Sequence, residues 1–107
     1  MIVFASPRFA LHATPPGHPE GPSRADVFWR AAEYARSLGA SRREPRLATT
    51  DELHRVHTTD YLADLDGLAG RAVGLDPDTY LSPESIEIAR LAAGGAVEAA
   101  HTAWQEE

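Results

Sequence analysis

Gly94 and Gly95 stand side by side inside a run of small residues, ARLAAGGAVEAA from Ala89 to Ala100, that otherwise reads as helix. A glycine inside a helix costs about 1 kcal/mol relative to alanine, so the pair works against the element that contains it. The pair makes physical sense where another backbone approaches so closely that no Cβ fits. That requirement excludes a free-standing helix. It demands a second layer packed against this one, as in an α/β domain. The start of the helix is equally marked. Ser82 can accept a hydrogen bond from an unpaired N–H, Pro83 has the φ of a first helical residue, and Glu84 meets the positive end of the dipole. A helix from Pro83 to about Gln105 is predicted, fed by a polar loop holding Asp76 and Asp78 and ending on Trp104 and a Gln-Glu-Glu tail without a Gly or Asn cap.

The rest of the chain supplies few strands. Ile2–Ala5 reads as a short buried strand stopped by Ser6-Pro7. Phe9 to Ser23 is a loop with four prolines and two glycines. A helix follows Pro22, with Ser23 as N-cap, Asp26 three residues on, and an apolar stripe of Val27, Ala31, Tyr34 and Leu38. Gly39 ends it. Arg46-Leu47-Ala48 is predicted as a second strand, which makes one βαβ unit. Thr49-Thr50-Asp51-Glu52 starts another helix, and Thr58-Thr59-Asp60 a third that buries Leu62, Leu65 and Leu68 and ends near Gly70. Gly70 to Leu81 reads as loop. A buried parallel sheet normally has about four or more strands. With only two in sight, residues 1–107 read as the N-terminal portion of one larger α/β domain.

Composition narrows the function. The net charge of −6 excludes tracking of nucleic-acid phosphates or an anionic membrane surface, and the use of arginine for all ten basic residues reads as compositional bias rather than as a recognition surface. Without cysteine there is no disulfide framework and no thiolate zinc site. No run approaches the ~20 apolar residues of a membrane span, and MIVFAS lacks the basic start of a signal peptide. A soluble, cytoplasmic chain with no nucleic-acid or membrane partner is expected.

Three clusters have chemical interest. The first is His12 followed by Gly17-His18-Pro19-Glu20-Gly21-Pro22-Ser23-Arg24, a proline-stiffened loop whose Arg24 falls in the first turn of a helix. The helix dipole disfavours a cation there, so the guanidinium needs a partner. The second is Val56-His57-Thr58-Thr59-Asp60-Tyr61-Leu62. His54 and His57, three apart, could share a helix face and ligate a metal, but no third ligand accompanies them. The plainer reading is structural, with His57 bonding backbone while Tyr61 and Leu62 pack. The third is Asp76-x-Asp78. An EF-hand would need a further acid and a glycine where Tyr80 and Leu81 stand, which leaves a polar rim beside a helix start. No nucleophile elbow, phosphate loop or dinucleotide motif is present.

Taken in order, GHPEGPSR after a strand and a histidine, then VHTTDYL, then DPDTYLSPESIEIARLAAGGAVEAA, resemble the N-terminal part of the zinc-dependent deacetylases. That family includes histone deacetylases, acetylpolyamine amidohydrolases and bacterial acetoin-utilization deacetylases. The resemblance runs from Met1 to about Ala103, with Gly21 standing where the family often has arginine. It implies an arginase/deacetylase fold, a parallel sheet between helix layers. It also implies hydrolysis of an acetylated amine, such as acetyl-lysine or acetylpolyamine, to amine and acetate by zinc and paired histidines. None of the family's zinc ligands, paired histidines or oxyanion residue has a match in these residues, so no catalytic residue and no metal are expected in this chain. What carries over is peripheral: Arg24 to an acetate-release channel, Asp78 and Thr79 to the loop that holds substrate, His18 and Pro19 to the entrance wall.

The leading expectation is thus a fragment of a bacterial-type deacetylase, inactive without the C-terminal portion of its domain. The alternative is a stand-alone module that binds or complements a separate chain. A weaker third reading is a metal-binding protein using His54 and His57.

Overall fold

Ile2, Val3 and Phe4 form β1 (Ile2–Phe4), which pairs in parallel with β2 (Ser41–Arg43), Ile2 lying opposite Ser41 and Phe4 opposite Arg43. A parallel pair needs a crossover, and α1 (Pro22–Ser37) supplies it. The expected βαβ unit is therefore present, with a different second strand. Gly39, at φ +101°, turns the chain out of α1, and the Ser41 N–H immediately donates to the Met1 carbonyl. Arg46–Ala48, the predicted strand, instead lies along the last helix, α4 (Ser85–Gln105), with the Ala48 N–H donating to the Arg90 carbonyl at 2.9 Å. The computed structural model describes residues 1–105; Glu106 and Glu107 of the predicted tail lie outside the described residues.

The glycine pair has the consequence its sequence implied. A Cβ on Gly94 would lie 2.7 Å from the Ala48 nitrogen and the Leu47 carbonyl carbon, and closer still to the Arg46 carbonyl oxygen. One on Gly95 would stand 2.9 Å from the Pro45 Cβ. The close layer is the extended segment 45–48 rather than a sheet. Leu91, 1% exposed, is the most deeply buried side chain, and Ile86 and Ile88 are buried along the same helix.

Two local expectations are corrected in α1. Its N-cap is Gly21, with Pro22 at the first helical position, so Ser23 is already inside the helix. The predicted stripe faces outward: Val27, Tyr34 and Leu38 are 53%, 68% and 72% exposed. The side turned inward holds Ala32, which is buried, with Ala25 and Trp29 half-buried at the same i, i+4, i+7 spacing. α1 packs onto β2 and the short 3₁₀ helix Pro7–Leu11. Arg42 of β2 clamps this face, its guanidinium 4.7 Å over the Trp29 ring and its Nε 3.3 Å from a Glu33 oxygen.

The capped starts match their signals. In α2 (Thr50–His54) the Thr49 hydroxyl accepts from the Glu52 N–H, and the Glu52 carboxylate accepts from the Thr49 N–H, the complete capping box. Thr58 caps α3 (Thr59–Asp66), whose Leu62 is buried and Leu65 half-buried; Leu68, also half-buried, lies beyond the helix. The helix itself stops at Asp66, and Gly70, at φ +78°, ends the turns that follow. Gly70–Leu81, predicted as loop, contains an antiparallel hairpin of β3 (Val73–Asp76) and β4 (Thr79–Leu81), with an irregularity between Gly74 and Asp76. Its Gly, Asp and Pro residues are depleted in strands, which hid it. Among the described residues no helix is long and apolar enough to cross a membrane.

Arg46 ties three of these pieces together. Its guanidinium grips both Glu52 oxygens at 2.7 and 2.9 Å and a Glu98 oxygen at 2.9 Å, joining segment 45–48 to α2 and α4. The Arg46 hydrogen bonds pull the Glu52 carboxyl from 4.5 down to about 2. A carboxyl depressed on folding stabilises the protein above its unfolded pKa, and that contribution is lost as pH falls through the folded value. Stability should therefore decline between about pH 4.5 and pH 2 more steeply than in a Glu52→Gln variant. Parallel acid-denaturation curves for the two proteins would contradict the coupling.

Candidate functional site

The loop from Leu11 to Gly21 is fastened to the start of α4 by buried serines. Ser82, expected to cap the helix, binds the loop instead: its hydroxyl accepts from the Ala13 N–H at 3.0 Å and donates to the Leu11 carbonyl at 3.1 Å. The Ser85 hydroxyl accepts from the Ser82 N–H at 2.8 Å and lies 2.6 Å from His12 Nδ1. The two serine hydroxyls lie 2.9 Å apart, and His12 Nε2 stands 3.5 Å from a Glu20 oxygen. Ser85 was not singled out from sequence. Its signal is the S-x-x-S spacing of Ser82 and Ser85 at a helix start, where a second hydroxyl has a backbone N–H within reach.

Above this network the loop forms an open cleft of about 830 Å³ with β1, the 3₁₀ helix, α1 and α4. Its walls are mainly apolar, including Phe4, Phe9, Phe28, Trp29 and Ile88, with His12, Glu20, Arg24 and Ser85 as polar groups. Arg24 thus faces the cleft from the first turn of α1. Among the described residues its guanidinium bonds the Pro19 carbonyl alone, at 3.5 Å, a long bond that offsets little of the unfavourable dipole.

The other sequence-predicted residues, His18, Pro19, Asp78 and Thr79, are not among the residues that line the cleft. His18 Nε2 lies 2.9 Å from the Asp78 carbonyl oxygen, joining two segments 60 residues apart. Asp78 occupies the hairpin turn with its side chain exposed, and Thr79, also exposed, begins β4. Asp76 braces the turn from inside: its Oδ1 accepts from the Asp78 N–H at 2.8 Å, which lowers the Asp76 pKa. Pro19 is exposed and contributes its carbonyl to Arg24.

His54 and His57 are both exposed, and His57 stacks on Tyr61 with ring centroids 4.9 Å apart. Among the described residues no three His, Asp or Glu side chains converge closely enough to hold a metal ion. These residues do not form a zinc cage.

Comparison with known proteins gives a consistent picture. Residues 18–107 match the histone deacetylase domain. A probable deacetylase of Methanothermobacter thermautotrophicus is 39% identical over 107 aligned residues, which cover 99% of this chain and 32% of that protein. An uncharacterized protein of Synechocystis is 36% identical over 97 residues, covering 86% and 32%. The crystal structure of an HDA15 HD domain superposes with a TM-score of 0.79 at 27% identity, covering 92% of this chain and 30% of that one. The chain spans about a third of the length of the curated relatives it matches.

Proposed function

The chain belongs to the histone deacetylase family and carries the α/β arrangement of the arginase/deacetylase fold, and from that premise we propose that it forms the entrance rim and part of the floor of a zinc-dependent deacetylase site. The substrate is an acetylated amine, acetyl-lysine or acetylpolyamine, cleaved to amine and acetate. A zinc ion held by residues beyond these would supply Lewis acidity toward the acetyl carbonyl and water. Its ligands and the proton-transfer groups come from sequence beyond these residues, so the chain alone is inactive.

Within that site each residue has work suited to its chemistry. The exposed Asp78 carboxylate, with Thr79 beside it, accepts N–H donors from the substrate's head group or backbone. Pro19 shapes the entrance loop and gives its carbonyl to Arg24. Arg24, facing an apolar cleft, offers a planar two-donor fork to the departing acetate. The observation that carries this reading is the contact between His18 and Asp78. It makes one rim of the two segments that most resemble the deacetylases.

The test is acetate release by the protein at its natural length, loaded with zinc, from an acetyl-lysine peptide and an acetylated polyamine. Release that stops on chelation and returns with zinc is expected. Asp78→Asn should raise KM roughly three- to tenfold, since a neutral amide accepts more weakly than a carboxylate. Zinc-loaded protein that releases acetate from neither substrate would overturn the proposal.

A further inference from the structure

We infer that His18 is a positioning residue: as its Nε2–H tautomer it locks the main chain of Asp78, and so sets where the rim carboxylate stands. The inference rests on the reading of Asp78 as a substrate-binding residue and goes beyond it by assigning His18 a role that involves no contact with substrate.

The hydrogen bonds determine the tautomer. The Glu20 N–H donates to His18 Nδ1 at 3.1 Å, so Nδ1 is the unprotonated acceptor. A neutral imidazole then carries its proton on Nε2, which donates to the Asp78 carbonyl at 2.9 Å. Each bond requires the other. With the proton on Nδ1, two donors would face each other at Glu20 and two acceptors at Asp78.

The consequence falls on the hairpin turn. The Asp78 N–H is taken by Asp76 Oδ1 at 2.8 Å and its carbonyl by His18, so both main-chain polar groups of this residue are committed. Pro77 before it has a fixed φ. Only the Asp78 side chain is left free, on a peptide unit held at both ends. Apart from the pairing of its own strands, the hairpin packs little against other elements. The His18 bond is therefore a long-range tether, and its other end is stiffened by Pro15, Pro16 and Pro19. A carboxylate placed this way binds without first ordering its own backbone.

Three variants of the natural-length enzyme separate the two halves of the device. In His18→Gln the amide nitrogen stands near the Nε2 position and can still donate to Asp78. In His18→Asn the side-chain oxygen replaces Nδ1 toward Glu20, and the reach to Asp78 is lost. His18→Ala removes both. KM should rise roughly three- to tenfold in the Ala and Asn variants, with kcat nearly unchanged, and return to within about twofold of wild type in the Gln variant. Imidazole nitrogen NMR shifts of wild-type His18 should show the Nε2–H form whether or not the enzyme is turning over. A His18→Ala KM equal to wild type, in a protein where Asp78→Asn does raise KM, overturns the positioning role and leaves the rim reading intact. If Asp78→Asn leaves KM unchanged, the rim reading fails and this inference with it. An Nδ1–H tautomer overturns the inference independently of activity.

Discussion

Gly94→Ala is expected to destabilise the protein by about 3 kcal/mol or more, read as a shift in the midpoint of chemical denaturation at natural length. Helix propensity alone predicts the opposite sign, a gain of about 1 kcal/mol. Steric contact decides between them. The new methyl would meet the Arg46 carbonyl oxygen, the Leu47 carbonyl carbon and the Ala48 nitrogen, all main-chain atoms that cannot rotate away. Moving segment 45–48 outward would also stretch the bond from the Ala48 N–H to the Arg90 carbonyl and the Arg46 bridges to Glu52 and Glu98. Gly95→Ala should act in the same direction but less strongly, because its obstacle at 2.9 Å is the Pro45 side chain. Ala96→Gly, at an exposed position of the same helix, should cost only about 1 kcal/mol. A Gly94→Ala midpoint at or above wild type would show that α4 and segment 45–48 do not touch as described.

The second large effect is expected at Arg24, now on turnover. Arg24→Ala should lower turnover roughly ten- to hundredfold, the equivalent of the ~1.5–3 kcal/mol of a hydrogen bond to a charged group. Zinc affinity should hardly change, because the guanidinium is proposed to meet acetate and not the metal. The structure sharpens the argument for a ligand. Among the described residues the Arg24 guanidinium bonds only the Pro19 carbonyl, at 3.5 Å, too long to balance a cation at a helix N-terminus. Arg24→Lys should rescue poorly, since an ammonium cannot present the two-donor fork. Full turnover in Arg24→Ala, with a loss of thermal stability alone, would make this residue structural.

Much of the candidate site is written in local sequence. GHPEGPSR and DPDTYLSPES could each be recognised because prolines, glycines and capping residues fix short stretches by their own chemistry. Their meeting could not be read there. Which donor His18 presents, and to which carbonyl, depends on two loops 60 residues apart arriving at 2.9 Å. Ser82 makes the same point. Its hydroxyl is a suitable cap for α4, yet the arrival of Leu11 and Ala13 gave it better-placed partners.

The division between sequence and tertiary structure follows the range of the forces. Sequence alone determined the features that close within three or four residues: the Thr49–Glu52 capping box, the Thr58 cap and the turn at Gly39; it also marked Gly94 as a place where another backbone comes close. Tertiary structure decided which backbone that is, which three residues pair with β1, and which face of α1 is buried. Ser41–Arg43 took the strand because Gly39 delivers it directly beside Met1, while Arg46–Ala48 was held against α4 by the Ala48–Arg90 hydrogen bond and the glycine cradle. In α1 two stripes had helical spacing, and the one turned inward holds the buried Ala32 and the Trp29 ring that lies under Arg42 of β2. Periodicity states that a face exists; the space available beside it chooses which one is used.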